Sequence, residues 1–169
     1  NKPLVFKTNN ILSGKIDAGA NNLFFGRSSG VAVTTGINNS FLGNQAAVSN
    51  TTGNANTAVG SKSLYSSISA NDNVAIGFSA MYTTSTGSFN TAIGSNSLYS
   101  NTSGHDNTAV GFETLNKNST GSYNTASGYL ALQGNTTGSY NTAYGRNALK
   151  LNTTGENNTG LGANALISN

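Results

Sequence analysis

Asn56-Thr57-Ala58-Val59-Gly60 returns every seventeen residues without a slip. Its asparagine falls at Asn22, Asn39, Asn56, Asn73, Asn90, Asn107, Asn124, Asn141 and Asn158. Its glycine falls four residues later each time, from Gly26 to Gly162. A fixed period of this size marks a solenoid, in which each repeat is one supersecondary unit stacked on its neighbours. The unit reads N-T-A-[VI]-G-x-x-[AS]-L-x-x-N-T-T-G-x-x, and its positions are numbered 1 to 17 from the asparagine. Two short apolar patches, around positions 2–4 and 8–9, are separated by turn chemistry, and neither is long enough for a helix. The expectation is an all-β, parallel β-solenoid or β-roll with 17-residue coils, each holding two strands and two turns. Coils stacked at ~4.8 Å would make a rod of roughly 43 Å.

Residues 22–169 hold eight full units and a truncated ninth. Residues 1–21 are non-repetitive and form an N-terminal β segment: Leu4 to Thr8 alternates like an exposed strand, and Asn9-Asn10 reads as a turn. The nine asparagines are expected to form a structural ladder, their amides bonding up and down the stack. Gly recurs at position 15, with Ala70 its one substitution in the full units. Glycine at both turns is expected to supply positive φ.

Composition narrows the function classes. Only 8% of the residues are charged and the net charge is +3, with Asn, Ser, Thr and Gly in place of the roughly 25% charged residues of an ordinary domain. The basic stripe with interleaved aromatics that a nucleic-acid binder needs is missing. Cysteine is absent, so no disulfide framework exists. No apolar run reaches the ~18 residues of a membrane span and no signal peptide is read, so membrane insertion is not expected.

The units differ in informative ways. Position 3 is Phe24 and Phe41, then alanine from Ala58 to Ala143. Position 9 reverses this: Gly30 and Ala47, then Leu64, Met81, Leu98, Leu115, Leu132 and Leu149. Cores conserve volume, so positions 3 and 9 are expected to touch, within one coil or across a subunit boundary. Position 6 is aromatic at Phe78, Phe112 and Tyr129, and position 17 at Phe89, Tyr123 and Tyr140, in the same three units. Pairwise packing of these rings, within about 7 Å, is expected. A slender rod with so little burial per residue is marginal alone, and association with other copies would also hide its sheet edges. Homotrimerisation is the expectation.

The repeat resembles the head repeats of trimeric autotransporter adhesins, whose S-V-A-I-G motifs build left-handed parallel β-rolls. Its longer unit, N-T-A-V-G-x-x-x-L-x-x-N-T-T-G, is similar to repeats of phage tail-fibre and bacterial surface proteins that carry a C-terminal intramolecular chaperone domain of the endosialidase type. Asn1-Lys2-Pro3-Leu4-Val5-Phe6-Lys7-Thr8-Asn9-Asn10, followed by Gly14-Lys15-Ile16-Asp17, resembles a short module of those fibres. The self-cleaving chaperone is not part of this chain, so no protease activity carries over. The resemblance implies an extracellular homotrimer: a structural, receptor-facing segment of a viral tail fibre, or a bacterial adhesin head at the cell surface.

Candidate sites follow from the residues that break the repeat. Tyr65, Tyr82 and Tyr99 share position 10 in three successive coils, an aromatic stripe that could stack against a cell-surface glycan. The simpler reading is a packed tyrosine ladder at a subunit contact. Asp72 and Asp106 share position 17 two coils apart, roughly 9.6 Å by stacking distance. That reaches the edge of the spacing a polysaccharide depolymerase needs, but two solvated turn residues explain it more simply. His105 is the only histidine, too few for a zinc site or a catalytic triad. The Asn71-Asp72-Asn73 run reads as turn chemistry rather than a calcium site. Thr91, Thr108, Thr125 and Thr142 align at position 2 and more threonines at 13–14, the kind of array an ice-binding solenoid uses, though turn glycines beside the second set argue against flatness. No metal, cofactor or enzymatic activity is expected.

Overall fold

The computed structural model describes residues 2–168. Asn1 and Asn169, the outer bounds of the two expected segments, lie outside the described residues. The fold is an all-β parallel solenoid with a 17-residue coil. Eleven strands form one sheet in chain order. β1 (Leu4–Thr8) and β2 (Ile11–Asp17) make an antiparallel hairpin. Its two-residue loop is Asn9-Asn10, both at positive φ (49° and 60°), as a tight hairpin loop needs. β2 then pairs antiparallel with β3 (Asn22–Phe25) and closes that end of the stack. From β3 on, every pairing is parallel, through β4 (Ser40–Leu42), β5 (Thr57–Val59), β6 (Val74–Ile76) and β7 (Thr91–Ile93). β8 (Thr108–Val110), β9 (Thr125–Ser127), β10 (Thr142–Tyr144) and β11 (Thr159–Leu161) continue it. Each position pairs with itself one coil on: Ala58 with Ala75, Ala92 with Ala109.

Each coil holds one strand rather than the expected two. Positions 8 and 9 are consecutive and both fully buried, as at Ala80 and Met81. A strand sends consecutive side chains to opposite faces and cannot bury both. The chain instead takes left-handed turns at positions 7 and 9, such as Lys62 (φ 59°) and Leu64 (φ 49°). Left-handed backbone costs an L-residue ~1–2 kcal/mol. Full burial of a leucine side chain contributes ~1.5–3 kcal/mol, enough to offset it. The turns still bond coil to coil: Leu64 N–H donates to Ala80 O at 2.9 Å, Ser66 N–H to Tyr82 O at 3.0 Å, and Lys62 N–H back to Asn44 O at 2.9 Å.

The core is a single file between strand and turns. Position 3 points inward from the strand side, and positions 8 and 9 meet it. In coil 1 a Cβ built on Gly30 would lie 2.9 Å from the Phe24 ring, so the exchange of volume between positions 3 and 9 happens inside one coil. Phe24 stacks on Phe41 at 5.0 Å.

The two glycine columns differ in cause. Position 5 has strongly positive φ, 137° at Gly94, and a Cβ there would sit 2.3 Å from Gly111 O. Position 15 does not share that φ. Its glycine is required by close approach: a Cβ on Gly121 would lie 2.3 Å from Gly138 O and 2.5 Å from Asn118 Oδ1. Ala70, the exception, stands in the coil where Ser67 replaces the asparagine of position 12, so one of the two groups a Cβ would meet there is absent.

Candidate functional site

The nine asparagines of position 1 lie at the start of the strand and face inward, eight of them buried and Asn158 partly so. Asn107 is representative. Its backbone N–H and its Nδ2 both donate to Asn90 Oδ1, at 3.0 and 3.1 Å, and Nδ2 also donates to Gly121 O at 2.9 Å. One side chain therefore bridges coils along the rod and clamps its own coil shut. A second ladder runs opposite, through Asn101, Asn118, Asn135 and Asn152 at position 12. Asn118 Nδ2 donates to Asn101 Oδ1 at 3.1 Å and to Gly121 O at 2.9 Å. Gly121 O accepts from both ladders, one bond for each lone pair. This second ladder was missed in the sequence reading, although asparagine at position 12 stands in the repeat. It breaks at Ser67 and Thr84, whose buried hydroxyls have no partner.

Those two breaks lie in coils 3 and 4, beneath the tyrosine stripe. Tyr65 and Tyr82 stack at 4.8 Å and 3°, Tyr82 and Tyr99 at 5.0 Å and 4°. The rings are parallel plates piled along the rod. Tyr82 has both faces covered by its neighbours, and Val48 and Asn116 continue the same column beyond Tyr65 and Tyr99, so the stripe offers a ligand its ring edges and hydroxyls. Beside Tyr82 and Tyr99 runs an open groove of about 410 Å³. Lys62, Ser79 and Asn96, all at position 7, form its opposite wall, with Phe78 beside them and Asn116 at the end past Tyr99. Asn116 is held there by its Nδ2 donating to Asn96 O at 3.0 Å. The groove thus joins aromatic edges to amide, hydroxyl and ammonium groups, the mixture that orients a polar ligand with an apolar face.

The other candidates are spread apart. Asp72 and Asp106 are exposed at turn corners, and Phe89 occupies the same position in the coil between them. Asp106 Oδ2 is 2.8 Å from His105 Nδ1, and His105 meets Tyr123 edge-on at 4.9 Å. The amide oxygens of Asn71 and Asn73 are used internally: Asn71 Oδ1 accepts from Asn54 N–H and Nδ2, and Asn73 Oδ1 from Asn90 N–H. No three His, Cys, Asp or Glu side chains gather among the described residues. Threonine hydroxyls of position 13 bond along the rod to the carbonyl of the next coil. Thr51 Oγ1 donates to Ile68 O at 3.1 Å and Thr136 Oγ1 to Thr153 O at 2.9 Å.

The expected pairing of position 6 with position 17 does not occur within the chain. The two positions stand at opposite ends of the strand, and the rings stack in columns instead: Phe112 on Tyr129 at 5.5 Å, Tyr123 on Tyr140 at 4.9 Å. Positions 2 and 4 form the outward face of the sheet and carry no charge in any coil. Position 4 is a file of exposed apolar groups that includes Leu42, Ile76, Ile93, Val110, Tyr144 and Leu161.

Comparison with protein-family models, with curated proteins and with solved structures finds no match.

Proposed function

We propose that this chain is a structural, receptor-facing segment of a trimeric viral tail fibre that attaches to glycans of the host surface, working by binding rather than by turnover. The observation that carries this reading is the uncharged file of position 4, exposed or half-exposed and apolar from Phe25 to Val110 and again at Tyr144 and Leu161, with Ser127 its one polar break. Monomeric soluble proteins rarely leave so long an apolar stripe open. Side-by-side association of copies would cover it and leave the opposite, turn-built side outward. That side carries the tyrosine stripe and its groove. The resemblance of the repeat to fibre repeats supports three copies and an extracellular, virion-borne location.

The test has two parts. Sedimentation equilibrium should give three times the chain mass. Binding of the trimer to host-surface polysaccharide should weaken about 2- to 10-fold in Tyr99→Ala, the loss of one aromatic contact of ~0.5–1.5 kcal/mol. A monomer would remove the fibre reading, and unchanged binding by Tyr99→Ala would remove the groove from it.

A further inference from the structure

The six aromatic residues that fail to meet inside the chain point to how its copies meet. Phe78 and Phe89 belong to coil 4, Phe112 and Tyr123 to coil 6, Tyr129 and Tyr140 to coil 7. The remaining full coils carry no aromatic at either position: coil 5 has Ser95 with Asp106, and coil 8 has Arg146 with Asn157. The two positions therefore change character together. Yet position 6 follows its own coil's strand and position 17 precedes the strand of the next coil, so within one chain they are separated by the width of the sheet, on the order of 15 Å.

Stacking along the rod does not account for the match. Phe78 lies between Ser61 and Ser95 in its column, and Phe89 between Asp72 and Asp106. Both rings are more than half exposed, at 55% and 59%. Position 17 is also a poor place for a ring. Phe89, Tyr123 and Tyr140 all take left-handed backbone, with φ of 59–60°, which Asn and Asp adopt more readily and which other coils fill with Asn38, Asp72 and Asp106.

We infer that the sheet face is an interface between copies of this chain, lying parallel and coil-for-coil in register about an axis along the rod, with the position-6 edge of one copy sealed against the position-17 edge of the next. Rotation about such an axis keeps every coil at its own height. It brings the two positions of one coil within a single coil spacing, ~4.8 Å, of each other along the rod. The position-6 ring then has the position-17 ring of its own coil within reach in coils 4, 6 and 7, and in the other full coils neither position holds a ring. The pattern rules out the other arrangements. The order 4, 6, 7 is not symmetric on reversal, so an antiparallel pair would set at least one aromatic coil against a polar one. A shift by any number of coils does the same. The inference rests on the proposed oligomeric fibre and deepens it by giving copy orientation, register and the contacting edges.

The chain has no cysteine, so introduced thiols report directly. The double variant Ser95→Cys/Asp106→Cys places one thiol on each edge of coil 5 and removes no aromatic. A disulfide needs Cα atoms ~4.4–6.8 Å apart, which excludes a bond within one chain. Under oxidation it should give covalent trimers on a non-reducing gel. Ser61→Cys/Asp106→Cys, two coils out of register, should not. In parallel, Phe78→Ser and Phe89→Asp should each weaken self-association at least tenfold, and the double variant should weaken it no more than the worse single, because the two rings meet each other. Trimers by mass with no crosslink in coil 5, or with equal crosslinking of the shifted pair, would overturn the seam and leave the fibre reading standing. A monomer by mass would overturn both.

Discussion

Coils 1 and 2 fill the interior from the strand side, whereas coils 3 to 8 fill it from the turn side. In the first pair Phe24 and Phe41 reach across to Gly30 and Ala47. In the rest an alanine on the strand meets Leu or Met at position 9. Backbone geometry is the same in both, since position 9 is left-handed whether it holds Gly30 (φ 55°), Ala47 (φ 46°) or Leu98 (φ 48°). The difference teaches that the coil specifies a cross-section and not a residue. What must stay constant is the sum of volumes across positions 3 and 9, at the packing density of any protein interior.

The largest effect should come from breaking that sum. Phe41→Ala leaves a void facing Ala47 and strips the Phe24 ring of its stacking partner, a loss of ~3–5 kcal/mol. Adding Ala47→Leu rebuilds the filling of coils 3 to 8 and should recover more than half. Unfolding midpoints of the two variants, measured in denaturant, would decide. If the second substitution recovers nothing, the two fillings are not equivalent and the swap reflects something other than volume.

The asparagine ladders sharpen the contrast. Position 1 runs unbroken through both regions, while the ladder of position 12 is continuous only from Asn101 to Asn152. Asn50 belongs to the first region. Val33 occupies the place before it and offers no acceptor, and Asn50 Nδ2 has no partner. Its one retained bond is from Gly53 N–H to Oδ1 at 2.9 Å. Asn118→Ala removes donors and an acceptor from a satisfied buried ladder and should cost ~1–3 kcal/mol. Asn50→Ala deletes an amide that is already half orphaned and should cost less than ~1 kcal/mol. Equal losses in thermal unfolding would mean that the ladder adds nothing beyond each local bond.

These details bear on what could be read in advance. The period, the single file of position 3 against position 9, and the asparagine column were legible because each depends on residue identity at a fixed spacing. The second strand was a misreading, since the short apolar patch at positions 8–9 is equally compatible with a strand and with paired left-handed turns. Stacking on coils of the same backbone shape holds Lys62 or Leu64 in that conformation, which L-residues disfavour. Position 15 looked like a second positive-φ glycine because close approach and φ leave the same residue in the sequence. The coincidence of positions 6 and 17 was visible, but its cause was not, because the rings do not meet inside the chain. For the tyrosine stripe, position 10 gave the alignment and not the ring orientation. Stacking at 4.8 and 5.0 Å makes the stripe a packed ladder that presents ring edges rather than ring faces.

The smallest expected effect separates coil 1 from the rest by pH. The hairpin that covers coil 1 carries Lys15 Nζ 3.0 Å from Asp17 Oδ2, and Ala20 N–H donates to Asp17 Oδ1 at 3.3 Å. The Lys15 ammonium, helped by that amide, holds the Asp17 carboxyl below its ordinary value of 3.8. A depressed carboxylate contributes stability that is fully present above the ordinary value and is lost as pH falls through the folded-state value. Both groups are partly solvated, so solvent screening keeps the contribution below ~1 kcal/mol. Hydrogen exchange at the β2–β3 pairing should therefore quicken on acidification below 3.8, before exchange in coils 3 to 8 does. Asp17→Asn should remove that pH dependence while leaving the later coils unchanged. Loosening of all coils together would show that the hairpin and the rod open as one cooperative unit, and that the first region is no weaker a terminus than the second.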